Sequence, residues 1–329
     1  MNNDIYNKLH ADAYISDNSF ENLGQKHTKK LFSVHWELKI LLYLGVMLLT
    51  AGLGILVYKN IDTIGHQAVL AFIALVSIGS FAYCFKFKPP FSWGKVKAPN
   101  TGFDYILLLG SISMVTFIGY LQYQYNVFGL SYGLATFVPM LLLFFLAYYF
   151  DHLGILSMAI AALALWMGVS ITPKTLLAYG TFNSSEIIST YVVLGLMLLA
   201  AAYITQRFDI KKHFKFSYHH YGVHVTFIAL LAGYFDRYDT ALSVLWIVML
   251  LALAVYIYLD AYKERSFYFI LLTILYSYFA LSCLLVRLLY ALMREGSIYL
   301  LLMCFIGSAI GLIFLLINVN KSLKHDDHI

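Results

Sequence analysis

Ten continuous apolar stretches follow one another along the chain: Ile40–Tyr58, Ala68–Phe85, Tyr105–Leu121, Tyr132–Phe150, Leu153–Ile171, Ile187–Ile204, Tyr221–Phe235, Ala241–Leu259, Phe267–Val286 and Ile298–Ile317. Their length approaches the roughly 20 residues that a helix needs to cross a bilayer. They do not alternate apolar with polar, as barrel strands would, so helices are the expected form. The predicted fold is an all-α polytopic transmembrane helical bundle of about ten spans. It occupies residues 39–320, between a short segment at 1–38 and a tail at 321–329. Tyr221–Phe235 is the shortest span and Pro139 should kink the fourth. Only Asp151 and His152 separate spans four and five, which forces an antiparallel hairpin.

Composition excludes a soluble domain. Hydrophobic residues make up 61% of the chain and charged ones 12%, against roughly 25% charged in ordinary soluble domains. The basic residues then orient the bundle. Seventeen of the 22 lie in the N-terminal segment, the gaps after spans two, six and eight, and the tail; Lys59, Lys174, Arg237, Arg287 and Arg294 occupy the other gaps. By the positive-inside rule both termini are cytoplasmic and the number of spans is even. Membrane lipids are the expected partners. Basic inner loops account for the alkaline pI without a nucleic acid. The first span should act as an uncleaved insertion signal. Cys84, Cys283 and Cys304 fall in apolar spans, as small buried hydrophobes do.

The gap Lys86–Gly102 mixes lysines with Phe91 and Trp93, the pattern of a loop at headgroup depth. Leu44–Leu56 and Leu194–Thr205 are similar apolar runs, and a five-plus-five inverted repeat would set them in equivalent positions. Gly307 and Gly311 in the last span, and Gly45, Gly52 and Gly54 in the first, are spaced for close helix packing.

Charged groups in or beside spans are the default functional candidates. Charge counting puts Asp62, Glu186, Asp236, Arg237 and Arg287 on the outer face. Arg287 stands among apolar neighbours and calls for an acidic partner, with Asp236 or Asp239 as the candidates. Asn60, Asp62, Asp236, Arg237 and Arg287 are therefore the expected substrate-binding set. On the inner face His220 and His224 share a helix side at metal-ligand spacing, with His152 able to approach from the hairpin. They lack a third ligand and an accompanying glutamate, so no metal is assigned. No catalytic set and no cofactor is expected, and no span carries a lone carboxylate at its centre.

One stretch carries a resemblance. The run LLYLGVMLLTAGLGILVYKNIDTIGHQAVLAFIAL, Leu41–Leu75, has a glycine-rich first span that ends in the turn Asn60–Ile61–Asp62, after the polar segment YISDNSFENL. It resembles the opening of the bacterial membrane-protein family catalogued as domain of unknown function 2157, clearly over roughly residues 10–90. That family shows an aromatic residue where Ile61 stands here. The resemblance implies a bacterial inner-membrane protein and no activity. The expected function is binding or transport of a small molecule within the bundle. The alternatives are an accessory subunit with a membrane-protein partner, or a membrane-embedded enzyme acting on lipid or a lipid-linked substrate.

Overall fold

The computed structural model of the chain describes residues 65–129, 131–171, 185–293 and 297–325, with isolated positions between 10 and 59. The chain divides into two units, Met1–Val69 and Leu70–Ile329, and the second carries the features that follow. Among the described residues there are nine α-helices and no strand: α1 His66–Phe87, α2 Thr101–Tyr125, α3 Tyr132–Phe150, α4 Leu153–Ile171, α5 Ser185–Arg207, α6 Lys215–Asp236, α7 Ser243–Lys263, α8 Phe267–Met293 and α9 Ser297–His325. Eight of them are long and apolar enough to cross a membrane. The first expected span, Ile40–Tyr58, lies outside the described residues apart from isolated helical positions such as Leu44 and Leu48.

The ninth helix, α6, falls short on apolarity, because its first half reads KFSYHHYGVHV. It is also the best-buried helix. It touches α4, α5, α7 and α8, and Tyr218, Val223, Thr226, Phe227, Leu230 and Tyr234 are all buried on it. A helix enclosed by protein can carry polar groups that a lipid-facing helix cannot. α9 is the opposite case. Strongly apolar, it has Leu323 as its one buried side chain among those described.

Close approach of α5 to α6 depends on glycine. A Cβ added at Gly195 would stand 2.1 Å from Thr226 Oγ1 and 2.8 Å from the Thr226 amide nitrogen. Backbone meets backbone there, as small residues permit in membrane bundles. Gly222 packs against the Leu199 side chain and amide nitrogen, while Gly233 packs α6 against the Trp246 ring of α7. The glycines expected to pack closely meet no neighbour among the described residues. Among the described residues nothing lies within 4 Å of a Cβ built at Gly307, Gly311, Gly45, Gly52 or Gly54. Spacing alone cannot say which side of a helix meets a neighbour.

Apolar side chains fill the bundle on both sides of this pair. One cluster joins α1 to α5 around Phe103, Leu107, Leu143, Ile155 and Leu194. The other joins α6 to α8 around Phe227, Ile247, Leu250 and Ile270. α3 runs unbroken through the buried Pro139.

Candidate functional site

Among the described residues, a buried polar cluster lies where three connections meet at one end of the bundle. α3 stops at Asp151, whose φ of 60° is left-handed and whose amide N–H still reaches the Ala147 carbonyl. Aspartate tolerates this conformation better than most residues, which lets a two-residue link reverse the chain into α4. The Asp151 carboxylate is then fully buried. Its Oδ1 accepts from Lys211 Nζ at 3.1 Å and His213 Nε2 at 2.6 Å, and its Oδ2 accepts from the Val96 amide at 2.5 Å. Three donors from two distant segments thus satisfy one carboxylate.

Lys211 is the matching cation. Its side chain is 0% exposed and that of Asp151 is 1% exposed. Its ammonium also donates to the Gly94 carbonyl at 3.4 Å and lies 5.2 Å from the Phe91 ring centroid. Its amide N–H donates to the Trp93 carbonyl at 2.9 Å. Lys211 itself has a left-handed φ of 48°. Such a conformation costs on the order of 1–3 kcal/mol for a residue other than glycine, and persists where its surroundings fix it. The ion pair thus ties the loop after α1, the α3–α4 turn and the α5–α6 connection together.

A cavity of about 460 Å³ opens beside this node. Lys95 and Lys97 line it from the loop, Thr101 and Asp104 from the first turn of α2, and His152 and His213 from the facing side. Asn100 caps α2 by accepting from the Phe103 amide at 2.7 Å. His152 acts similarly for α4, its Nδ1 accepting from the Ile155 amide at 3.1 Å. That bond leaves the imidazole proton on Nε2, which lies 3.8 Å from Asp104 Oδ1. Burial pushes the His152 pKa below its ordinary value, against the opposing pull of Asp104. The cavity is therefore lined by two lysines, a neutral imidazole and the Asp104 carboxylate, beside the already paired Asp151 and His213. That set suits binding and orientation of a charged polar group.

The expected outer set is placed differently. Asn60 and Asp62 lie outside the described residues. Asp236 and Arg237 are exposed at the end of α6, and Arg237 donates to Ser185 Oγ at 3.5 Å. The expected pairing of Arg287 with Asp236 or Asp239 does not form. Arg287 donates instead to Ser243 Oγ and, at 3.3 Å, to the Thr240 carbonyl, with the Tyr238 ring centroid 5.1 Å away. Both aspartates remain in solvent, where a carboxylate gains little from an ion pair. Neutral oxygens at the start of α7 meet the guanidinium in their place.

His220 and His224 do share a face, with ring centroids 4.7 Å apart. Each turns to a phenol of α8: His220 Nδ1 lies 2.6 Å from Tyr268 Oη and His224 Nδ1 lies 2.8 Å from Tyr276 Oη. Among the described residues no three His, Cys, Asp or Glu side chains gather at metal-binding distance. Sequence reasoning missed Lys211 and Lys95, which were seen only as loop charges. The available signal was three polar connections, each rich in lysine or histidine, on one expected side.

Residues 7–156 match the family described as Predicted membrane protein (DUF2157). This is the family that the first-span segment resembles. The match takes in Lys95, Lys97, Asp104, Asp151 and His152 and stops before Lys211 and His213. No curated protein and no solved structure matches the chain.

Proposed function

We propose that the chain is a bacterial inner-membrane protein of ten spans with both termini cytoplasmic, which binds a small polar molecule in the cavity beside Asp151. The alternate-gap distribution of lysine and arginine supports the orientation, and puts this cavity on the cytoplasmic side. One observation carries the binding reading. A cavity of about 460 Å³, lined by Lys95, Lys97, Asp104 and His152, stands on a rigid base. That base is the fully buried Asp151–Lys211 pair, which joins the loop after α1, the α3–α4 turn and the α5–α6 connection. Binding sites work best when their supporting shell is fixed beforehand.

Carriage through the bundle has less support than binding. A carrier of polar solutes needs polar groups near mid-membrane. The buried clusters on either side of α5 and α6 are mainly leucine, isoleucine, phenylalanine and alanine, and the buried hydroxyls of Ser111, Thr226 and Thr273 donate to carbonyls of their own helices. A cavity of about 410 Å³ between α5 and α6 is walled by Ile187, Ile188, Val225, Ile228 and Ala232, with Tyr191, whose hydroxyl already donates to Ala164.

The test is a thermal-shift screen of the purified protein in mild detergent against small charged metabolites, with Ala98→Trp as the blocked control, since Ala98 lines the cavity. At least one compound should raise the unfolding midpoint of the parent and leave Ala98→Trp unmoved. A panel in which every shift is shared by both proteins would overturn the reading.

A further inference from the structure

We infer that the molecule held in this cavity presents a phosphate group, with Lys95 and Lys97 as its charge partners. The inference rests on the binding reading above and names the ligand class. Charge bookkeeping around the cavity leads to it. Asp151 is already compensated by Lys211, His213 and the Val96 amide, so it takes nothing from the rim lysines. Asp104 is the remaining carboxylate in the lining; its side chain is 40% exposed and turns toward His152. Lys95 and Lys97 form no ion pair among the described residues. Two exposed lysines therefore line the cavity against one half-solvated carboxylate.

The neutral donors point to the same chemistry. His152 brings an N–H on Nε2, and Thr101 brings a hydroxyl from the first turn of α2. The amides that begin this 25-residue helix add partial positive charge on the same wall. A phosphate dianion has enough oxygens to take several such donors together, and charge-assisted bonds of this kind are the strong ones. Phe91 and Trp93, exposed on the loop that supplies the lysines, set the cavity near headgroup depth. The phosphate can thus arrive on a soluble metabolite or on a phospholipid headgroup.

Two arms separate these sources. In the first, full-length protein in phosphatidylcholine nanodiscs is titrated by calorimetry with inorganic phosphate, with acetate at equal ionic strength as the control. In the second, protein in mixed phosphatidylglycerol and phosphatidylcholine micelles is examined by native mass spectrometry for retained phosphatidylglycerol. Lys95→Ala/Lys97→Ala is carried through both; both side chains are exposed, so the fold should tolerate it. Phosphate binding that weakens by about tenfold or more in the double variant supports a soluble ligand. Phosphatidylglycerol retained by the parent and lost by the variant supports a lipid. Neither signal, a signal unchanged by the double substitution, or acetate binding equal to phosphate overturns the inference. A phosphate-free compound that Ala98→Trp blocks and Lys95→Ala/Lys97→Ala ignores would overturn the phosphate assignment and leave the binding reading standing.

Discussion

Lys211 and Arg287 are both cations held against the protein at opposite ends of α6, and they are neutralised by different means. Lys211 has a carboxylate, a carbonyl and an aromatic face, and is wholly enclosed. Arg287 has a hydroxyl, a carbonyl and an aromatic face, and stays partly exposed. One counter-charge separates the two sets. A cation without a carboxylate partner keeps some of its solvent, because removing an unpaired charge from water costs several kcal/mol. The enclosed pair can therefore serve as the fixed base of a site, whereas the half-open clamp secures the turn into α7.

The largest test of this contrast is Asp151→Ala. It leaves Lys211 buried without its counter-charge, and should lower stability by about 3–5 kcal/mol. Unfolding in detergent followed by tryptophan emission would measure it. Replacing both partners, Asp151→Leu with Lys211→Met, should recover most of that loss, since well-packed apolar pairs often equal buried ion pairs. If the double variant is as unstable as the single, the node depends on the left-handed turns and the Val96 bond more than on charge. Arg287→Met should cost less, about 1–2 kcal/mol, since it removes bonds to neutral oxygens that solvent can partly replace. Equal losses at Asp151 and Arg287 would abolish the distinction between the two ends.

The smallest effect concerns pH. His152 has its folded pKa pushed below the unfolded value of 6.5 by burial, opposed by the Asp104 carboxylate. The unfolded chain therefore binds a proton first as pH falls. Its contribution to stability is complete above pH 6.5 and is lost progressively below it. His152→Gln should flatten the slope of the unfolding midpoint between neutral and acidic pH. The ring is lined up with Asp104, Asp151 and His213 around the same cavity. A slope unchanged by the substitution would overturn the assignment of this acid sensitivity to His152.

Much of the helical layout was legible in the sequence, because long apolar runs and a two-residue hairpin link leave few alternatives. The node was not. Lys211 stands 60 positions from Asp151 and 117 from Gly94, and spacing along one helix carries no information at that separation. Arg287 was read as needing an acid because its neighbours in sequence are apolar. Its actual partners, Ser243 and Thr240, are neutral residues 44 and 47 positions away. The glycine spacing at Gly307 and Gly311 suggested close packing, whereas the tight contact is at Gly195, which no repeating motif marks. The histidine pair was correctly placed on one face. Its partners are phenols of α8, and aromatic residues are too common in this chain to single them out.

The polar, enclosed character of α6 bears on how the bundle is assembled. On the ten-span reading, a segment beginning KFSYHHYGVHV is too polar to settle in lipid by itself. It needs a neighbour alongside, and α5, which precedes it in the chain, packs closely against it. The notch at Gly195, which admits the Thr226 backbone, is where α5 receives it. A bulky residue at that position should therefore lower the yield of folded protein recovered from the membrane fraction.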